Sequence, residues 1–494
     1  MPTIELVRSS PHRVSTPSRT TSCGAGGAFD LAAPRGRRRV YGVLVSLLFV
    51  FAWLLQGAKS HKSHEALDFV VSDAEGYWVY MPSIVLDGNM DFRRELFWHA
   101  RVHPIDLGQF PETPMGLRNH WPTGVSVTLA PAFLTAHVLA LTLHPFTDSP
   151  VVVPNGYSII YQFCCLSLVM LLGWLTLVAA DDVLTSHFHV PGPAIASGVV
   201  VYAIGSSWAY YLFREPFMAH AVAAAWVMFT ILLADRIASA ADDGRVFWWH
   251  WPALIFTLSM GIICRSTNVV LFITAAWPLF VTLRAGLLGR VLKLLPLMIL
   301  AAFPIGLQLV AWHILAPRNA GAGGITGYGA YEVFHWSHPA LWQTMFSSNH
   351  GIFFWSPVLL LGVWGYARRL AWGDGVRDGF LVSLLLTFAA LWYINSAWYA
   401  WWFGKSFGAR SFIDLTGIFI FGMAFGFDWL LRLSPGWRGV ARAGVWAGLI
   451  FNWLLLGAFI AYLIPRQSAL FGERPSSPAG RSHVLTTATP TPGS

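Results

Sequence analysis

Charge is what this chain has least of. Only 11% of its 494 residues are Asp, Glu, Lys or Arg, against 55% hydrophobic, where a soluble globular domain carries roughly 25% charged residues. That shortage excludes an ordinary water-soluble enzyme. With a mean hydropathy of +0.55 it points to a polytopic membrane protein. Cysteine is scarce too. Cys164 and Cys165 are adjacent, and with Cys264 they lie in apolar runs, leaving Cys23 alone; this excludes a readable disulfide or zinc framework. No glycine-rich nucleotide-binding fingerprint is present. The formal charge of +8 does not require nucleic acid, because excess Lys and Arg in a membrane protein set its orientation.

What is abundant is apolar and aromatic. The 25 Trp and 14 Tyr fit aromatic belts at two interfaces. Residues 1–39 are rich in Ser, Pro and Gly and end in Arg35, Arg37, Arg38 and Arg39, the composition of a disordered basic tail. Residues 40–58 carry no charge and are long enough to cross about 30 Å of hydrocarbon. Ten further apolar segments follow, at 157–180, 192–212, 217–234, 250–264, 268–283, 295–316, 352–367, 380–398, 412–431 and 444–464.

The run 121–143 is the difficult case, since counting it inverts every later segment. If it does not span, the short inner loops hold eleven Lys and Arg. The short outer loops then hold five: Arg214, Arg265, Arg318, Lys405 and Arg410. The positive-inside rule therefore favours an all-α protein of about eleven transmembrane helices in the inner or plasma membrane of a cell, with 121–143 on the outer face. The N-terminus is then cytoplasmic and the C-terminus outside. Residues 40–464 form the membrane domain, 59–156 its long first outer loop with surface helices, and 465–494 a disordered tail.

The first outer loop opens with Ser72-Asp73-Ala74-Glu75, which matches a capping box. Ser72 would cap a short helix and Glu75 would reach back to its amide. Tyr77, Met81, Ile84 and Val85 follow at helical spacing, giving an amphipathic helix on the membrane surface, kinked or ended by Pro82. On this reading Glu75→Gln costs stability more than turnover. Asp73 is not needed by the capping box and is left for function. Asp87 and Asp91 read as turn and solvated-loop residues.

A second acid, Glu215, stands beside Arg214 before Pro216, with His220 five residues on. It is a poor N-cap and lies at an apolar boundary, where an ionisable group is costly unless partnered. Arg265 interrupts an apolar run with Ser266, Thr267 and Asn268, as a polar hairpin whose guanidinium either snorkels or grips a phosphate. His350 lies in a polar stretch, Ser347–Pro357, that opens an apolar segment. Lys405 and Arg410 stand among Trp and Phe with Gly404 and Gly408. Cations beside aromatics suit a lipid phosphate or a sugar ring; an aromatic belt explains the Trp, but less readily the Lys-x-x-x-x-Arg with paired Gly.

In the order of these features the chain resembles membrane glycosyltransferases of the GT-C architecture, the relatives of protein O-mannosyltransferases and aminoarabinose transferases in glycosyltransferase family 39. The resemblance rests on a first span, then an outer loop opening with Asp73 and Tyr77, then the Pro-bearing apolar stretch HWPTGVSVTLAPAF, then Glu215 at the start of a later span. It covers residues 40–430. The family shows two adjacent acids where this chain has Asp73-Ala74-Glu75.

The resemblance implies glycosyl transfer from a polyprenyl-phosphate sugar to an acceptor at the extracytoplasmic face, among membrane lipids and without nucleic acid. Asp73 and Glu215 would be the catalytic acids, and the pair to hold a divalent metal ion if one is used. Glu75, Tyr77 and His220 would support them. Arg265, Lys405, Arg410 and His350 would bind the donor phosphate. The other readings are a transporter or flippase of lipid-linked or polar substrates, and a non-catalytic scaffold of envelope assembly. Transporters place charge at the bilayer midplane and show internal repeats, and the sequence displays neither.

Overall fold

A computed structural model describes residues 30–63, 68–102, 112, 113, 116, 117, 119–315, 333–372, 375 and 378–466. Residues 1–29 and 467–494 of the two expected disordered tails lie outside these residues, but 34–39, expected as the basic end of the first tail, open a helix instead, because Arg37 is buried in an ion pair with Asp181.

The described chain is helical, apart from one antiparallel pair of two-residue strands, β1 (Glu112–Thr113) and β2 (Gly116–Leu117). Helix α1 (Pro34–Ser63) leads into three short helices, α2 (Asp73–Trp78), α3 (Tyr80–Leu86) and α4 (Arg93–Val102). Then come α5 (Gly124–Leu143), α6 (Ile159–Ser186), α7 (Gly192–Gly205), α8 (Trp208–Phe213), α9 (Ala219–Asp242) and α10 (His250–Cys264). The second half holds α11 (Phe272–Arg284), α12 (Leu288–Leu292), α13 (Leu295–Ala301), α14 (Phe303–Leu315), α15 (Leu341–Phe346) and α16 (Ile352–Trp355). It ends with α17 (Leu360–Trp372), α18 (Gly379–Ala397), α19 (Thr416–Leu431) and α20 (Pro435–Ile460).

Among the described residues, eight helices are long and apolar enough to cross a membrane, or nine if α13 and α14, bent by 42°, count as one. Large apolar side chains such as Leu47, Leu54, Val138, Leu300 and Leu454 stay more than half exposed. A surface this greasy is stable only against lipid, so the protein is a multi-pass integral membrane protein. The expected count of eleven exceeds these eight or nine. α7 and α10 are apolar but shorter, and α17 is interrupted at its start by a 3-10 turn.

The bundle has two ends. Arg37 of α1 donates to Asp181 of α6 at 2.6 Å, while Trp53 meets Phe163 at 6.0 Å between ring centres. The two helices are therefore antiparallel, and α1 ends where α6 begins. His187, just past α6, reaches Asp235 of α9 at 2.8 Å and Asp378 before α18 at 3.2 Å. That cluster marks the N-terminal end of the bundle.

Two points along α5 sit at the opposite end. Gly124 presses against the Cys264 backbone, and His137 meets the hydroxyl of Tyr161 at 2.6 Å, in the first turn of α6. α5 itself passes the length and hydropathy test for a span.

Candidate active site

The site is built at the end of the bundle opposite the N-terminus. Helix α2 starts at Asp73, as expected, but not by the expected device. Ser72 sits at φ 60° and its side chain caps nothing. Glu75 turns inward, where its carboxylate accepts from the Tyr157 hydroxyl at 3.2 Å. Burial, and then the charge of Asp68, push its carboxyl well above the usual range. The capping box is thus overruled by tertiary packing: Tyr157, 82 positions away, offers Glu75 a buried partner that the local pattern could not foresee.

The break at Val79 follows from Pro82, which lacks the amide that would bond the Trp78 carbonyl; α3 then carries Pro82 within it. Nor do α2 and α3 lie on the surface as an amphipathic pair. Gly76, Trp78, Tyr80 and Met81 are buried, with Ile84 exposed. Asn119 donates to the Gly76 carbonyl at 2.6 Å, and Tyr80 to that of Trp121 at 2.8 Å. Ser126 donates to the Tyr77 carbonyl. A methyl group on Gly76 would lie 2.3 Å from the Trp121 ring. The segment 119–126 therefore clamps α2 and fixes Asp73. Asp87 pairs with Arg94 and Asp91 with Arg93, away from the site.

Arg410 arrives from the far end of the sequence. The loop before it turns through Gly404 and Gly408 at φ 67° and 63°, conformations that cost glycine nothing. Phe407 N donates to the Tyr211 hydroxyl at 3.1 Å, and Arg410 opens a 3-10 turn, Arg410–Leu415. Its Nη1 meets Asp73 Oδ2 at 3.0 Å.

Arg265 is not in a hairpin. It is extended, and a 3-10 turn, Ser266–Leu271, follows. Its Nη1 donates to Asp414 Oδ2 at 3.2 Å, to Ser411 O at 3.2 Å and to His220 Nδ1 at 3.3 Å. The same His220 Nδ1 lies 3.5 Å from Asp414 Oδ1.

These pieces enclose a cavity of about 600 Å³ whose lining includes Asp73, Tyr77, His120, Trp121, His220, Arg265, Asn395 and Arg410. Of the sequence candidates it therefore gathers Asp73, Tyr77, His220, Arg265 and Arg410.

Four candidates do not line it. Glu75 faces the protein interior. Glu215 accepts from the Tyr210 hydroxyl at 2.8 Å; burial raises its carboxyl, against the pull of Tyr210 and Arg410. Lys405 is exposed. His350 stacks on Trp355 and its Nε2 donates to Arg466 O at 3.2 Å; burial lowers it to about 4, so it brings no charge to a phosphate at neutral pH.

Asp73 and Glu215 do not fit a divalent cation. Arg410 is bonded to the first and attracts the second, so a metal would have to displace a guanidinium. Among the described residues no three His, Cys, Asp or Glu converge as a metal site.

Sequence reasoning missed Asp414 and Asn395. Both are buried, and Asn395 Nδ2 donates to Ser411 O at 3.2 Å. The signal was there for Asp414, an acid inside the apolar segment 412–431. A second cavity, about 490 Å³, is almost wholly apolar and runs between α15, α17, α18 and α19, with Trp342, Phe353, Tyr366 and Phe388 in its wall. Phe388 meets Phe412 of the Arg410 turn at 6.1 Å. Comparison of the chain with family models, with curated proteins and with solved structures gives no match.

Proposed function

We propose that the protein is a membrane glycosyltransferase that moves a sugar from a polyprenyl-phosphate donor to a hydroxyl acceptor. The observation that carries this reading is the convergence of Asp73, Arg265 and Arg410 on one cavity at the end of an apolar bundle. An anionic phosphate on a greasy tail needs two cations at a membrane boundary and an apolar groove beside them. Arg265 and Arg410 supply the first, and the groove along Phe388 the second.

In this mechanism Asp73 takes the proton of the acceptor hydroxyl as it attacks the anomeric carbon. The phosphate departs from the opposite side, with inversion, and the two guanidinium groups stabilise its growing charge. Tyr77, His120 and Trp121 give the cavity wall flat faces on which a sugar ring packs. Glu215 acts from outside the cavity, on the field around Arg410.

The membrane arrangement that fits has eleven crossings, with α7, α10 and α17 as short spans and α5 along the outer boundary. The antiparallel contacts of α1 with α6 support it, as does the gathering of basic residues at or near helix ends, Arg236, Arg290, Arg369 and Arg432 among them, at the N-terminal end. The N-terminus is then cytoplasmic and the cavity extracytoplasmic.

The test is reconstitution with a radiolabelled polyprenyl-phosphate sugar and candidate acceptors. Transfer is expected, and Asp73→Asn should reduce it about 10²–10⁴-fold, the range for a general base, while expression and insertion are unchanged. Full activity of that variant would sink the assignment, and movement of the lipid without transfer would favour a flippase.

A further inference from the structure

The two arginines of the cavity are held in opposite ways. Arg265 is anchored by the buried Ser411 carbonyl and Asp414 carboxylate, with His220 beside it, and the Asp414 side chain that faces it has no exposure. Arg410 is under-used. Its Nη1 contacts Asp73 Oδ2 and, at 3.6 Å, Met218 Sδ, and its buried Nε has no partner among the described residues. A guanidinium offers five N–H donors in a planar fork, and one carboxylate oxygen leaves most of them idle. Asp73 is itself one-third exposed, with its side chain in the cavity wall. Asp414 is buried behind Arg265, whereas the Asp73 carboxylate stands in the cavity wall and holds Arg410 by a single oxygen.

We propose that Asp73 is a displaceable stand-in for the ligand: in the resting protein it occupies Arg410, and a phosphate ester entering the cavity takes Arg410 from it. Two non-bridging phosphate oxygens match the fork better than the single oxygen Asp73 presents. Asp414 cannot be displaced in this way and only positions Arg265. The competition for Arg410 stands on geometry alone. Its catalytic meaning rests on the glycosyltransferase reading: the base is released only once the donor is bound, so the acceptor is activated second.

The experiment is calorimetric titration of the purified full-length chain in detergent with farnesyl phosphate and, separately, with inorganic phosphate. Asp73→Asn is expected to tighten binding about tenfold, the equivalent of one charge-assisted hydrogen bond no longer in competition. Asp73→Ala, which cannot accept from Arg410 at all, should do the same. Asp414→Asn should weaken binding, and in an Arg410→Gln background Asp73→Asn should change nothing. Tightening for farnesyl phosphate alone identifies a lipid-linked ester as the ligand, and tightening for both probes identifies phosphate itself as sufficient.

Unchanged or weaker binding in both Asp73 variants, with melting temperatures near that of the parent, overturns the proposal. So does absence of binding by either probe to any variant. Tightening without glycosyl transfer keeps the stand-in and removes the transferase. Transfer without tightening does the reverse.

Discussion

Glu75→Gln separates two accounts of the same acid. As half of a capping box, Glu75 would lose a helix-stabilising bond on substitution. In the structure it is 2% exposed, bonded to Tyr157 and faced by the charges of Asp68 and Glu95, so its folded carboxyl keeps its proton well above the ordinary 4.5. The folded state then binds more protons than the unfolded state over that interval. Stability falls as pH rises from 4.5 towards the folded value, by about 1.4 kcal/mol for each pH unit.

Glutamine carries no proton to lose, keeps an oxygen for the Tyr157 hydroxyl and fills the same volume. Its stability relative to the parent should therefore climb with pH. The assay is the melting temperature of both proteins in detergent between pH 4.5 and 8.5, followed by tryptophan fluorescence. The difference, variant minus parent, should grow as pH rises from 4.5 towards the folded value. A flat or falling difference would refute a buried protonated Glu75. Loss of turnover in a stable variant would refute its exclusion from the chemistry.

Two packing predictions accompany this one. Gly124→Ala should destabilise the protein by about 1–3 kcal/mol or more through overpacking, because its methyl would lie 2.4 Å from the backbone nitrogen of Cys264; a normal melting temperature would count against the seat described for α5. Asp181→Asn should cost about 3–5 kcal/mol, the range for breaking a buried ion pair, since Asp181 is fully buried and accepts two bonds from Arg37 and one from Tyr41. Thermal melting checks it, and turnover per folded molecule should hold because the pair lies at the end of the bundle away from the cavity.

Composition and short-range pattern were enough to give the class of protein and most of its helices. A backbone in hydrocarbon must bond to itself, so long charge-free runs become helices whatever their neighbours, and composition suffices to find them. It also pointed to Asp73, Arg265 and Arg410, because a charge at the edge of an apolar run is costly and stands out. What it could not supply was partnership.

Asp414 reads as one polar residue in a span until Arg265, 149 positions away, is packed beside it. Glu75 satisfies a local pattern, yet a burial site assembled from Tyr157 and its neighbours outcompetes a cap worth about 1 kcal/mol. Glu215 and His350 carry the right chemistry, but Tyr210 and Trp355 hold them outside the cavity. Local residues choose helices through short-range backbone energetics. Which side chains face one cavity is a property of helix packing across hundreds of residues, which no local pattern encodes.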